Sequence, residues 1–200
     1  MYSRPLVAAS PESKPTVLVV DDERDIADLY ALHLKTEYDP LVAYGGQEAL
    51  EKLDEHVAAV LLDRRMPDMH GDEVLATIRE RGYDIPMIMV TAVDPQLNIL
   101  EMDFDDYLTK PIDEETLRQT LDQHIDQDAR NPKLDEFLGI MSKLLVLEDE
   151  HAQPALEDND EYRRLKRRAS TLADELEDEV DDLEAIVRTH ESIHRSADAS

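Results

Sequence analysis

The chain has 200 residues, 42% of them hydrophobic and 34% charged, and a mean hydropathy of −0.51. These values fit one or two small packed domains, and they argue against an integral membrane protein, because no run approaches the roughly 18 apolar residues of a spanning helix. Lys and Arg number 21 against 48 Asp and Glu, so the net charge of −27 opposes whole-molecule attraction to nucleic acid or anionic lipid, and the absence of cysteine removes disulfides and thiolate metal sites.

Residues 1–14 carry one short apolar patch, Leu6 to Ala9, followed by Pro11 and Glu12. The patch is shorter than the roughly 7–15-residue core of a signal peptide. The segment reads as a disordered tail of a cytoplasmic protein. Thr16 to Val20 is a continuous apolar run, suited to a strand buried on both faces. Arg24 to Tyr38 has helical spacing through Ile26, Leu29, Tyr30, Leu32 and Leu34. Pro40 to Tyr44 is a short strand, Gly45-Gly46 punctuates it, and Gln47 to Leu53 is helical again. Ala58 to Leu62 is a second apolar run that ends on Asp63, and a loop from Met66 to Gly71 follows. Asp72 to Arg81 reads as a helix, Pro86 to Val90 as a strand ending on Thr91, Asp106 to Leu108 as a weak strand closed by Lys110-Pro111, and Glu114 to Ile125 as a helix.

This alternation predicts an α/β fold with parallel strands and helices on both faces. In such folds the site lies at the carboxyl edge of the strands. Polar residues fall there: Asp21 and Asp22 after the first strand, Asp63 after the third, Thr91 after the fourth and Lys110 after the fifth. Carboxylates gathered at adjacent strand ends repel one another and call for a cation, and all-oxygen ligands favour Mg²⁺. One carboxylate can then be a nucleophile toward a phosphoryl donor. A lysine and the metal neutralise charge on the transferring group, and a nearby hydroxyl can report its presence.

Asp21-Asp22, the run Leu61 to Pro67 with Gly71, the pair Thr91-Ala92, and Tyr107-Leu108-Thr109-Lys110-Pro111 together resemble the receiver domain of two-component response regulators. The resemblance covers about Thr16 to Ile125, within a domain bounded at 15–127. It implies a flavodoxin-like, doubly wound sheet of five parallel strands in the order 2-1-3-4-5. It implies that Asp63 accepts phosphate from a sensor histidine kinase. Asp22 would bind Mg²⁺ directly, Asp21 through water, and the backbone carbonyl of Arg65 would complete the set with Asp63. Lys110 would pair with Asp63 and then with its phosphate. Thr91, with Ala92 beside it, would be the switch hydroxyl, and Tyr107 the aromatic that turns inward. Pro111 would follow a cis peptide bond. One departure stands out: the stretch from Thr91 to Lys110 is about one helical turn short, with Asp103-Phe104 where receivers often carry Gly-Ala. This predicts a short or irregular fourth helix around Gln96 to Met102.

Asn131-Pro132 is a favourable helix start. Lys133 to Glu150 has a wide apolar stripe, Pro154 and the acidic 157–160 stretch mark a turn, and Glu161 to His190 reads as one long helix with a coiled-coil-like seam from Tyr162 to Val187. The segment from Lys133 to Val187, with Glu161-Tyr162-Arg163-Arg164-Leu165, resembles the HalX domain that follows receivers in halophilic archaea. A helical hairpin over 132–190 and a disordered tail over 191–200 are expected. The hairpin would pair with the receiver, with itself or with a second chain, so a homodimer or a downstream protein partner is open.

Competing functions are weaker. A Mg²⁺-dependent phosphohydrolase would want a second Asp two residues past the nucleophile, and that position is Arg65. Binding of DNA rests on the basic cluster Arg163, Arg164, Lys166, Arg167 and Arg168, which pairing with neighbouring acids explains more simply. The seven histidines, His33, His56, His70, His124, His151, His190 and His194, lack ligand spacing along the chain and read as surface or structural residues. The charge predicts a salt requirement. At molar salt the screening length shrinks to about 3 Å and self-repulsion is suppressed. Unfolding free energy should therefore fall when KCl is lowered from about 1 M to about 0.1 M, and a denaturation midpoint indifferent to salt would refute this.

Overall fold

The computed structural model of the chain describes residues 14–92, 95–125, 131–177 and 179–197. The predicted N-terminal tail lies almost wholly outside them, as does the end of the expected receiver boundary at 127. Five parallel strands, β1 (Thr16–Val20), β2 (Asp39–Ala43), β3 (Val57–Leu62), β4 (Met87–Thr91) and β5 (Asp106–Thr109), form one sheet in the order β2-β1-β3-β4-β5. Strand periodicity sends Leu18, Val20, Val60, Leu62, Met89 and Tyr107 to one face and Val17, Val19, Leu61, Ile88, Val90 and Leu108 to the other. Both faces are buried, which is why these strands are continuously apolar.

Helix α1 (Arg24–Leu34) and helix α4 (Glu114–Ile125) cover the second face through Ala27, Tyr30, Leu34, Leu117 and Leu121. Leu29 and Leu32, part of the same apolar pattern, point away from it and are 47% and 62% exposed. Helices α2 (Gly46–Lys52) and α3 (Gly71–Glu80) cover the first face through Ala49, Leu50, Val74 and Ile78. Between β4 and β5 only a 3-10 helix, Leu97–Glu101, is present among the described residues. The shortened stretch therefore leaves the first face uncovered beside β5, at the edge of the sheet.

The C-terminal helices fill that space. Helix α5 (Pro132–Glu150) starts as its sequence predicts: the Asn131 side chain accepts from the Lys133 amide, and Pro132 occupies the first turn. Phe137, Leu138, Ile140, Leu144 and Leu147 are buried in the same core as Tyr107, Phe104 and Ile99. Each such side chain is worth about 1.5–3 kcal/mol. At Gly139 the helix lies against the chain before β5, where a Cβ would sit in ordinary contact, 3.5 Å from the Phe104 and Asp105 carbonyl oxygens. A short helix α6 (Gln153–Glu157) turns the chain into α7 (Asp160–Leu176), which packs on α5 through Tyr162, Ala169, Leu172 and Leu176.

Two expectations need correction. The long helix over 161–190 is broken: α7 ends at Leu176 and α8 spans Leu183–Ala197. The break coincides with an acidic stretch, Glu177, Glu179, Asp181 and Asp182, whose like charges disfavour a continuous helix. Asp182 adopts φ 59°, a left-handed turn that Asp tolerates, and the stripe folds back so that Val180, Leu183 and Val187 meet the α5–α7 core. The predicted tail from 191 is helical to Ala197, because the stripe continues through Ile193 and His194, 1% and 7% exposed.

The junction between the sheet and these helices is polar at its centre. Asp106 of β5 is 0% exposed. Its Oδ2 faces His124 Nε2 of α4 at 2.9 Å, and its Oδ1 accepts from the Tyr107 amide and the Ser142 hydroxyl, each at 2.8 Å. His194 Nε2 of α8 lies 2.9 Å from Oδ1. Burial alone would raise the carboxyl's pKa, but His194 and His124 outweigh it and hold it well below the carboxylate range. Burial lowers the His124 pKa, and the bond to Asp106 overcomes this and leaves it above 6.5. A raised folded-state pKa gives stability that is complete below the unfolded value and lost as pH rises through the folded one. His190 behaves oppositely: burial depresses it to about 4, and that contribution largely cancels between variants. With a chelator present, His124→Gln should cost about 3–5 kcal/mol at pH 6, and the gap from wild type should narrow at alkaline pH. Urea unfolding in molar KCl reads both, and a gap that widens with pH would contradict the assignment.

Candidate functional site

The carboxyl ends of β1, β3 and β5 bring three of the predicted residues into direct contact. The Lys110 ammonium donates to Asp21 Oδ2 at 2.6 Å and to Asp63 Oδ1 at 2.8 Å. All three side chains are under one-tenth exposed. The remaining oxygens are held by the backbone: Asp21 Oδ1 accepts from the Glu23 amide at 3.0 Å, and Asp63 Oδ2 from the Arg65 amide at 2.7 Å. One ammonium faces two carboxylates here, so the charge balance is uneven. Burial lowers the Lys110 pKa, but its two acidic partners outweigh this and raise it. Burial pushes the Asp21 carboxyl up, and Lys110 only partly offsets that.

The local chain explains these positions. Asp21 and Asp63 each follow a strand by one residue, and their amides continue the sheet pattern: Asp63 N–H donates to the Val20 carbonyl at 2.8 Å and Asp21 N–H to that of Ala43 at 3.1 Å. The Met66 to Gly71 loop is clamped beneath Asp63. Gly71 N–H donates to the Arg64 carbonyl at 2.9 Å, and a Cβ on Gly71 would meet the Asp63 carbonyl oxygen at 2.3 Å. Only glycine permits that approach. Lys110 is carried past the end of β5, its amide bonded to the Thr91 carbonyl at 2.9 Å, and its peptide bond to Pro111 is cis.

The other predicted residues surround this centre. Asp22 is half-buried beside Asp21. Arg65 supplies its amide to Asp63 and leaves its side chain exposed. Thr91 is 0% exposed and pairs with Thr109 across β4 and β5, while Ala92 and Pro111 are exposed. Tyr107 is fully buried, its ring 5.7 Å from that of Phe104 and its hydroxyl toward Arg64. Arg64 itself is buried and paired with Asp72 at 2.9 and 3.2 Å, which outweighs desolvation and raises its pKa.

Two further groups lie away from this centre, and the first is paired with neighbouring acids as its sequence suggests. The basic cluster on α7 is largely paired: Arg164 with Glu161 at 3.0 Å, Arg168 with Glu136 through two bonds of 2.7 and 2.6 Å, and Arg163 with Asp160 and the Glu157 carbonyl. His124, His190 and His194, scattered along the chain, converge on Asp106. The donor atoms of Asp106, His190 and His194 all lie within 4.8 Å of one another, the one group of His, Cys, Asp and Glu among the described residues gathered that tightly. The i, i+4 spacing of His190 and His194 was the signal available; the third partner, on β5, was not.

Residues 17–122 match the response regulator receiver domain family, and residues 129–194 match the HalX domain family. A Haloferax volcanii protein, provisionally named a transcriptional regulator, is 39% identical over 188 residues. That alignment takes in 92% of this chain and 31% of the relative, so the chain spans about a third of its length. Among solved structures, a CheY-like receiver domain protein from Methanospirillum hungatei is 28% identical with a TM-score of 0.54, over 57% of this chain and 96% of its own. The BeF3-activated receiver domain of DrrB, a Thermotoga maritima response regulator, is 26% identical with a TM-score of 0.53, over 56% of this chain and 98% of its own. The sheet order, the acidic strand ends and both family matches agree, and this chain belongs to the response regulators, with a receiver domain followed by a HalX domain.

Proposed function

We propose that Asp63 is the phosphoacceptor of a two-component relay and that its phosphorylation changes how the C-terminal helices sit on β5. The observation that carries this reading is the Lys110 ammonium shared between Asp21 and Asp63, buried at the strand ends. A carboxylate oxygen of Asp63 attacks the phosphorus of a histidine kinase's phosphohistidine. The new O–P bond forms as the P–N bond breaks, and the imidazole leaves with the electron pair. Lys110 follows the charge from the carboxylate to the phosphoryl oxygens. The Arg65 amide fixes the orientation of Asp63 throughout.

The donors fit Mg²⁺ in chemistry: Asp21, Asp22 and Asp63 offer hard oxygens, carry more negative charge than Lys110 balances, and sit beside a half-exposed position open to water. With the Arg65 carbonyl they would hold the ion, which would supply charge neutralisation on the transferring group. Thr91 would bond the phosphoryl group from β4, and Tyr107 would repack behind it. Arg65 stands where a phosphohydrolase would place its general acid, and it is exposed, so the reading is a signalling switch with slow self-dephosphorylation rather than a turnover enzyme.

The helical segment would be the output, from residue 132 onward, following a receiver over 15–127. Its helices α5 and α8 sit on the strand that carries Tyr107. Among the described residues no helix is long and apolar enough to cross a membrane.

Incubation with acetyl phosphate and Mg²⁺ in molar KCl should add one phosphoryl group, seen by intact mass. Asp63→Asn should take up none, and Lys110→Ala should be slower by about 10²-fold, the usual effect of losing one charge-stabilising donor. Phosphate on the Asp63→Asn protein would refute the acceptor assignment. Sedimentation with and without beryllofluoride then tests the output: a mass that rises only for wild type supports regulated self-association, and an unchanged mass assigns the output to rearrangement within one chain.

A further inference from the structure

We propose that Asp106, His190 and His194 form a binding site for a divalent transition-metal ion of the zinc class, which pins the last helix to the edge of the receiver sheet. The site is separate from the Asp21–Asp63–Lys110 centre. It is built from β5 and α8, with α4 and α5 as its walls.

The geometry has the parts such a site needs. His190 and His194 are one helical turn apart on α8, so both rings reach the same side, their centroids 4.8 Å apart. Asp106 reaches them from β5, its Oδ1 2.9 Å from His194 Nε2. All three are buried, at 0%, 1% and 7% exposure for Asp106, His190 and His194. A tetrahedral zinc site with bonds of about 2.0–2.1 Å places its ligand atoms about 3.3 Å apart. The present donor atoms, within 4.8 Å of one another, reach that by rotamer adjustments of about an ångström. Two imidazoles and one carboxylate suit zinc or cobalt, and they leave one coordination position open. Ser142 Oγ lies beside the ligand atoms, 2.8 Å from Asp106 Oδ1 and 3.0 Å from His190 Nε2.

The outer partners are also in place. His124 Nε2 holds the second oxygen of Asp106 at 2.9 Å, and the Gln123 amide reaches His190 Nδ1 with its Nε2 at 3.1 Å and its Oε1 at 3.4 Å, so that Oε1 can accept from Nδ1–H and leave His190 Nε2 as the ligand atom. Such contacts fix ring orientation and tautomer in metal sites. The observation that separates a metal site from a plain hydrogen-bond network is His194 Nε2. It is buried and 2.9 Å from Asp106 Oδ1, an ion pair when the ring is protonated, yet it has no hydrogen bond of good geometry. With the ring neutral, that nitrogen stands beside Asp106 and His190 with no proton donor to meet it, and a metal ion would take it as a ligand.

The test uses the full chain, stripped with a chelator, in molar KCl to suppress loose binding of cations to the acidic surface. Saturating Mg²⁺ occupies the strand-end carboxylates. Co²⁺ is then titrated as a spectroscopic probe, and Zn²⁺ in competition. One equivalent of Co²⁺ should bind with the intense visible bands of a tetrahedral nitrogen–oxygen site, and Zn²⁺ should displace it. His194→Gln should abolish the bands, Gln123→Ala should weaken binding by about tenfold, and the exposed His56→Gln should change nothing. Nitrogen-15 chemical shifts of the His190 and His194 rings in the wild type decide the matter should a variant fail to fold: both must move on Zn²⁺ addition. Absence of stoichiometric binding, bands that survive His194→Gln, or unmoved ring nitrogens would overturn the site and leave a proton-held network.

Discussion

A carboxylate with no solvent exposure cannot stay ionised unless the protein replaces its water, and Asp106 shows where that replacement comes from. Its partners are the backbone of β5, His124 on α4, Ser142 on α5 and His194 on α8. No single element satisfies it. The strand, the last receiver helix and two helices of the C-terminal domain must all be present before the charge is compensated. Breaking one arm leaves a buried group underpaired, which is costly, so this tie between the two domains is hard to break in part. The apolar contacts of α5 around it are larger in sum but non-directional. The buried carboxylate fixes which register of α5 and α8 is allowed.

The shortened segment before β5 makes this arrangement possible. A full helix between β4 and β5 would pack on the sheet face beside β5. Here a single 3-10 turn leaves that face open, and an open apolar edge invites unwanted pairing. Helix α5 closes it with Phe137, Leu138 and Leu144, and lies at Gly139 against Phe104 and Asp105. The C-terminal domain thus occupies the place of a receiver helix rather than hanging from a linker. It packs on β5 directly, and the residue after Asp106 in that strand is Tyr107, whose amide bonds the same carboxylate.

Much of this was legible along the chain because it is local. Continuous apolar runs identify strands buried on both faces, and a polar residue that ends each run marks the site edge, so Asp21, Asp63, Thr91 and Lys110 could be named from the chain alone. The Asn131-Pro132 helix start and the deficit of one turn before Lys110 were visible for the same reason. The break at 177–182 was not. The apolar spacing of three and four continues across it, and only the acidic residues and Asp182 hint that repulsion and a left-handed turn will win. The Asp106 cluster was hidden more deeply. His124 lies 18 residues from its partner and His190 is 48 residues from Ser142, separations closed by the return of α4 onto the sheet and by the tertiary path of α5, α7 and α8. Ile193 and His194 looked like tail because their burial is supplied by other elements.

The net charge of −27 adds a constraint on how such a molecule can signal. In molar salt, surface ion pairs are screened within about 3 Å, so the pairs along α7, such as Arg164–Glu161, are poor carriers of a regulated contact. Two sets of charges escape the screening because solvent does not reach them: Asp21, Asp63 and Lys110 at the strand ends, and Asp106 with its histidines at the junction. They lie at opposite ends of the short path through β5, from Lys110 back to Tyr107 and Asp106. A change of charge at Asp63 alters what Lys110 must balance, and Lys110 is bonded through its amide to β4 at Thr91. The strand between the two buried centres is four residues long, Asp106–Thr109. Only this short strand separates the two buried centres, and solvent reaches neither of them.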